Sequence, residues 1–487
     1  MKFHIAQIIL FFCSVVIGFT GCSKVNNSKN EKPNIIFILV DDLGKEWVSC
    51  YGSESIETPQ IDKLAASGIR FENVYSMPQC TPTRVTFLTG QYPFRHGWIN
   101  HWDVPRWGGG AHFDETMNPC LPVELKKSGY KTCIAGKWQI DDFRVEPDAL
   151  ERCGFDEYCM WTGYETGIPA SAERYHDPFI FTKNGSRTWQ GDFGPDIFKN
   201  FIIDFIKKNK DQPFFVYYPM VLTHTPLVNT PGDSATDNEG KFRSMVKYTD
   251  KITGEIMDAL KQENIDENTV LIWTTDNGTT GGMTGILNRH PVRGGKGKTS
   301  EAGICEPFLV SWPGTIEPGQ HSEALIDFTD LFPTFLDLAG VTPSHSWNSG
   351  GKEYIIDGYS FADVLRGKST DSKRDWILGM GGGNNARLTE NGVENQYRFR
   401  DRVVRNKRYK LYINPKRKPA AFYDLKTDPF ETKNLIGNLS ATEKENFEKL
   451  ASTINSFPKQ DDDPVYKPNP PQPWDVKITA KSQEWKK

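Results

Sequence analysis

Two acidic stretches in this sequence stand where an apolar run gives out. Asn34-Ile35-Ile36-Phe37-Ile38-Leu39-Val40 ends in Asp41-Asp42, and the run Thr269 to Thr274 ends in Thr275-Asp276-Asn277-Gly278. Asp41, Asp42, Asp276 and Asn277 offer only oxygen ligands, a set that suits Ca2+ or Mg2+ rather than zinc. Either stretch alone reads as an ordinary loop or cap; two of them, each directly after a buried run, point to a hard-cation site. Between them lies Gln79-Cys80-Thr81-Pro82-Thr83-Arg84-Val85-Thr86-Phe87-Leu88-Thr89-Gly90.

That segment closely resembles the signature of the formylglycine-dependent (type I) sulfatases, Cys-x-Pro-(Ser/Ala)-Arg-x-x-x-Leu-Thr-Gly. Cys80, Pro82, Arg84, Leu88, Thr89 and Gly90 match it, and Thr83 departs. The resemblance continues in order through Gly136-Lys137-Trp138, His224-Thr225-Pro226, Asp276-Asn277-Gly278, Arg293 to Gly297 with Glu301, and Tyr423-Asp424-Leu425, covering roughly residues 32–440. It implies that a maturation enzyme oxidises Cys80 to formylglycine, a covalent nucleophile with a built-in release step. It implies one Ca2+ held by Asp41, Asp42, Asp276, Asn277 and the modified Cys80. Arg84, Lys137 and Lys296 would then stabilise the nucleophile and the sulfate oxygens, and His224 would serve the leaving alcohol oxygen. The family usually carries His two residues after the lysine of its Gly-Lys motif, and Gln139 stands there instead. Glutamine cannot act as a base near neutral pH. A sulfated-glycan-binding protein impaired in catalysis, and a phosphohydrolase of the same alkaline-phosphatase-like superfamily, are therefore the competing readings. His96 is a candidate substitute for the missing base, although a buried, hydrogen-bonded histidine is the plainer reading of it.

The substrate rim is expected from two segments. One follows the signature and holds His101 and Arg106 beside Trp102 and Trp107; the other, residues 140–195, holds His176 beside Tyr164, Arg174 and Tyr175. Aromatic rings can stack on sugar faces, and Arg and His can pair with further sulfates or uronates. A sulfated polysaccharide or oligosaccharide, algal glycans such as ulvan included, is the expected substrate class.

These residues need a scaffold, and the apolar runs supply its outline. Asn34–Val40, Pro213 to Val221, Thr269 to Thr274 and Pro307 to Trp312 read as strands buried on both faces, as in a parallel sheet covered by helices. Helical patterns alternate with them: Pro59 onward with Thr58 as N-cap, Asp196 to Lys208, and Tyr248 to Leu260. The expectation is an α/β fold, a large mostly parallel sheet sandwiched by helices, over residues 33–365. A smaller antiparallel-sheet subdomain and a charged, proline-rich tail are expected over 366–487.

Lys2 followed by the apolar run Ile5 to Phe19 and then Gly21-Cys22 reads as a bacterial lipoprotein signal, 1–21, with Cys22 as the lipid-bearing residue and 22–32 as a tether. That would place the protein on the outer membrane. The chain of 487 residues carries 58 Lys plus Arg against 62 Asp plus Glu, a net charge of -4 that argues against a nucleic-acid partner. The nine cysteines include no Cys-x-x-Cys pair, so neither a zinc ribbon nor a thioredoxin-type motif is supported.

Overall fold

In the computed structural model, residues 32–99, 112–161, 174–349, 351–381, 387–394 and 399–467 are described, with a few isolated positions of the tail. His101, Arg106, Tyr164 and the N-terminal segment with Cys22 lie outside the described residues.

The strands are β1 (Asn34–Val40), β2 (Ile69–Tyr75), β3 (Lys131–Lys137), β4 (Glu157–Trp161), β5 (Phe179–Thr182), β6 (Gly185–Thr188), β7 (Phe214–Pro219) and β8 (Thr269–Thr275). A hairpin of β9 (Thr284–Leu287) and β10 (His290–Arg293) follows, then β11 (Cys305–Ser311) and β12 (Gln320–Asp327). All but the hairpin form one sheet in the order β12-β2-β11-β8-β1-β7-β3-β4-β5-β6. The central strands β8, β1, β7, β3 and β4 are parallel. Antiparallel pairing enters only where β11 meets β8 and β2, and at β5 and β6. The α/β class expected from the sequence is the one observed.

Alternation along β1 shows why its run is apolar throughout. Ile35, Phe37 and Leu39 join one buried layer with Val85, Phe87 and Leu88; Ile36, Ile38 and Val40 join the other with Ile61, Leu64, Phe198 and Ile202. Both faces of the strand are covered, so it is apolar from Ile35 to Val40, and its one polar residue, Asn34, is hydrogen-bonded to Thr269 and Phe214. With α1 (Pro59–Ala66) on the opposite face, the first layer is carried by α2 (Cys80–Thr89) and by the helices Leu121–Lys127 and Leu331–Leu338. The second is carried by α1 and the helices Gly194–Asn209 and Asn238–Gln262.

Two local expectations are corrected. Thr58 makes no side-chain cap to α1; its hydroxyl engages Ser49 and Asp62, and the carboxylate of Asp250 receives the Gln60 and Ile61 N–H groups instead. The helix expected from Tyr248 begins ten residues earlier in a polar stretch, where Asp237 accepts from Gly240 N at 2.7 Å.

The small antiparallel sheet runs Ile377–Met380, Arg402–Arg405, Tyr409–Ile413, Pro419–Asp424 and is covered by the helix Ala441–Asn455. Its apolar cluster includes Met77, Tyr92 and Phe94 from the segment around α2, and Ile377 and Val403 pack with Tyr75 of β2 and Leu325 of β12, so the two sheets share a core. The tail does not leave the surface at Asp461: that carboxylate pairs with Arg402 at 2.5 Å, and Asp462 N donates to Phe94 O.

Candidate active site

The carboxyl ends of β8, β1, β7 and β3, four neighbouring parallel strands, open onto one place. Asp276 and Asn277 follow β8, Asp41 and Asp42 follow β1, His224 follows β7 and Lys137 closes β3. Parallel sheets bind ligands at this edge because every strand delivers its next residues to the same side. Gly136 lets β3 come close: a Cβ there would sit 1.9 Å from Pro219 O. Cys80 is the first residue of α2, 4% exposed, with Gln79 at the N-cap. Lys296 enters from the loop after the hairpin.

Acidic and basic groups interlock there. Arg84, 1% exposed, donates to Asp276 Oδ2 at 2.8 Å and to Lys137 O at 2.9 Å. Lys137 Nζ meets Asp41 Oδ2 at 2.5 Å, and Lys296 Nζ reaches both Asp42 oxygens at 2.6 and 2.7 Å. Asn277 Nδ2 donates to Asp42 Oδ1 at 2.8 Å, and Asp42 N donates to Asp276 Oδ1 at 3.2 Å. Burial pushes the Asp41 carboxyl up, but Lys137, His224, Arg84 and Lys296 together outweigh it and hold Asp41 far below the usual carboxylate range. Asp276 keeps the opposite balance: burial, with Asp41 close by, carries it up to about 7 against Arg84 and Lys137. Cys80 opens α2 one turn before Arg84, so both come to the pocket on the same helix.

Two oxygens on this floor are left over. Asp41 Oδ1 and Asn277 Oδ1 are buried without a hydrogen-bond partner, an arrangement that costs free energy unless something positive completes it. The donor set therefore fits a hard cation. His224 also brings a nitrogen within 4.8 Å of the Asp41 and Asp42 oxygens, but Ca2+ prefers oxygen, which leaves the imidazole for other work. His224 Nδ1 lies 2.7 Å from Thr225 O and so carries the proton, turning Nε2 toward the pocket, 3.9 Å from Asp42 Oδ2. Burial, then Lys296 and Lys137, hold this ring well below the usual histidine range. The Tyr175 hydroxyl, 2.6 Å from Val221 O and 2.5 Å from His224 O, ties down the loop that carries it.

The sequence-derived set Cys80, Arg84, Lys137, His224, Lys296, Asp41, Asp42, Asp276 and Asn277 is thus one cluster. His176 stands apart: it is exposed and its Nε2 meets Asn229 O at 2.9 Å. Its neighbour Arg174 is the buried one, stacked 3.9 Å over the Trp161 ring and close enough to act on His224 electrostatically. His96 is spent within the structure, accepting from Trp98 N at Nδ1 and facing Thr86 Oγ1 at Nε2, while burial pushes it down to about 3. Gln139 has a positive φ of 62° and a buried Oε1 with no partner. Sequence reasoning passed over Tyr217 on β7, whose buried hydroxyl acts on Arg84; nothing in an apolar strand run marks it out.

Fold and site together define an α/β protein with a buried, cation-rich anion pocket over an oxygen-lined floor. The chain belongs to the sulfatase family: residues 33–341 match the sulfatase profile, and 296–459 match that of the N-sulphoglucosamine sulphohydrolase C-terminal region. It is 33% identical to human N-acetylgalactosamine-6-sulfatase over 69% of this chain and 66% of that protein, just under two thirds of its length. It is 28% identical to an N-acetylgalactosamine-6-O-sulfatase of Bacteroides thetaiotaomicron, over 85% of this chain and 93% of that one. The crystal structure of Ps i-CgsB superposes with a TM-score of 0.72 at 24% identity, over 90% of this chain and 95% of that one, a likeness of fold.

Proposed function

We propose that this protein hydrolyses sulfate esters on a sulfated saccharide. The observation that carries the reading is the gathering of Arg84, Lys137 and Lys296 on the buried carboxylates Asp276, Asp41 and Asp42, over a floor with two unpartnered buried oxygens. When in place, formylglycine at Cys80 would supply a hydrated aldehyde as nucleophile, and Ca2+ held by Asp41, Asp42, Asp276 and Asn277 would supply positive charge beside it.

The chain's own residues do the rest. Arg84 is locked by Asp276 and Lys137 O beside the buried Tyr217 hydroxyl, which fixes its charge for an anion. Lys137 and Lys296 hold the carboxylates and present charge to sulfate oxygens. His224, with its proton on Nδ1, turns Nε2 to the pocket as an acceptor; it would have to take up a proton there before it could serve the leaving alcohol oxygen. Gln139 can accept a hydrogen bond there but cannot remove a proton.

Relatives named for N-acetylgalactosamine-6-sulfate, and a structure of Ps i-CgsB in complex with a neocarrahexaose, support a sulfated glycan as substrate. Algal polysaccharides, ulvan included, belong to the same class. The test is a panel of 6-O-sulfated galactosamine, carrageenan, ulvan and glycosaminoglycan oligosaccharides offered to Ca2+-loaded protein co-expressed with a maturation enzyme. Release of sulfate from at least one, lost in Cys80→Ala, is expected; release of phosphate alone from matched esters would move the reading to a phosphohydrolase. Gln139 favours one other reading, a glycan binder that does not turn over, and binding without release by protein whose Cys80 is fully converted would establish it. We also propose export and anchoring through Cys22; the mature N-terminal peptide should then carry acyl chains on that residue, and an unmodified Cys22 within intact leader sequence would remove the idea.

A further inference from the structure

Cys120 and Cys153 are buried thiols outside the sulfate pocket, 3% and 0% exposed, and free in the structure. Cys120 stands at the N-cap of the helix Leu121–Lys127, and Cys153 at the C-cap of the helix Ala149–Arg152. Both belong to the apolar layer on one face of the main sheet, with Leu121, Leu125, Ala149 and Leu150. The two caps touch through their backbones: a Cβ built on Gly154, φ +93°, would lie 2.6 Å from Val123 N and 2.8 Å from Pro122 C. Cys120 Sγ lies 3.6 Å from Cys153 O.

We propose that Cys120 and Cys153 form a disulfide when the protein folds under oxidising conditions. Two thiols lose two protons and two electrons, an S–S bond forms between the Sγ atoms, and a disulfide oxidant such as oxidised glutathione is reduced to two thiols. The other buried pair, Cys133 and Cys159, cannot do this. In the β3/β4 register Cys133 faces Glu157 while Ala135 faces Cys159, so the two cysteines are diagonal neighbours. Diagonal positions on paired strands lie about 7–8 Å apart, beyond the Cα separation a disulfide accepts. The bond would close residues 120–153 into a covalent loop that contains β3 and Lys137, so it would fasten the strand that delivers Lys137 to the pocket without touching the pocket itself.

The test uses the full wild-type chain refolded with a glutathione redox pair, alkylated, and digested with trypsin without reductant. After a further cut at Glu157 with a glutamate-specific protease, which separates Cys153 from Cys159, the Cys120 peptide is expected joined to the short peptide from Cys153 to Glu157, since Arg152 precedes it. Separate alkylated peptides, or either cysteine joined to another partner, would overturn the proposal. Reductant should lower Tm of the oxidised protein by at least about 2 °C and leave Cys120→Ser, or Cys153→Ala if the first does not fold, unmoved. An equal shift in the variant would overturn it. Neither readout depends on sulfatase activity.

Discussion

Thr83 bears much of the hydrogen bonding that sets α2 against the pocket. Its hydroxyl lies 2.8 Å from Asp276 O, 2.9 Å from Gln79 O and 3.0 Å from Met77 O, and accepts from Met77 N. That one group joins the turn before Cys80 to the strand end bearing Asp276, so the threonine that departs from the family signature has a local reason to be a hydroxyl. Thr83→Val should destabilise the protein by about 1–3 kcal/mol, the cost of leaving buried polar groups unpaired, while Thr83→Ser should restore most of it. Urea unfolding of both variants decides; a loss in Thr83→Ser with none in Thr83→Val would mean the β-methyl matters, not the hydroxyl. Gln139 is the second residue where a single group decides an outcome. If sulfate release waits for a base, Gln139→His should raise kcat by about 100-fold with pre-steady-state burst amplitude falling. A kcat that does not move would show that release already has its proton acceptor.

At the scale of elements, the segment between Lys296 and β11 is clamped by the small sheet. Glu301 accepts from Tyr75 at 2.6 Å and Lys410 at 2.8 Å, its N–H goes to Glu431, and Tyr412 donates to Thr299 O and Glu431. Burial raises the Glu301 carboxyl, but Lys410 and Arg405 prevail and bring it down to about 2. A pKa depressed on folding adds stability that is present above the unfolded value near 4.5 and is lost as pH falls through about 2. Glu301→Gln should therefore be less stable than wild type at pH 6, with the gap closing between about pH 4.5 and 2 in parallel denaturation curves; a gap constant down to pH 2 would assign the loss to packing. The elements that build the pocket were legible because buried parallel strands write themselves as unbroken apolar runs and their ends are marked by Asp41-Asp42 and Asp276-Asn277. The clamp was not legible: the resemblance marked Glu301 but not its partners, and Lys410 and Glu431 are ordinary charged residues that acquire meaning only when the two sheets share a core. The same holds for Asp250 capping α1 from a distant helix, and for Arg174, which no periodicity distinguishes from exposed His176.

Across the whole molecule, the net charge of -4 conceals a local near-balance. Arg84, Lys137 and Lys296 stand against Asp41, Asp42 and Asp276, all drawn from distant parts of the chain onto one sheet edge. Such a cluster is held by the fold rather than holding it, because desolvating the charges consumes most of their mutual attraction. A divalent cation on the two spare oxygens would change that: it would bind the folded chain and not the unfolded one, and leave the pocket positive for an anionic ester. Stability should then depend on Ca2+ through mass action, by about 2.7 kcal/mol at a hundred times the dissociation constant. Chelation should lower Tm and added Ca2+ restore it, with Mg2+ less effective because it demands a tighter octahedron than carboxylate and amide oxygens on separate strands readily give. Asp41→Asn should abolish the Ca2+ response and also weaken the unloaded protein, since Lys137 would be left buried beside a neutral amide. Calorimetry of wild type and variant, each with chelator and with Ca2+, separates the two effects: a Ca2+-induced rise in Tm that persists undiminished in Asp41→Asn would place the ion elsewhere.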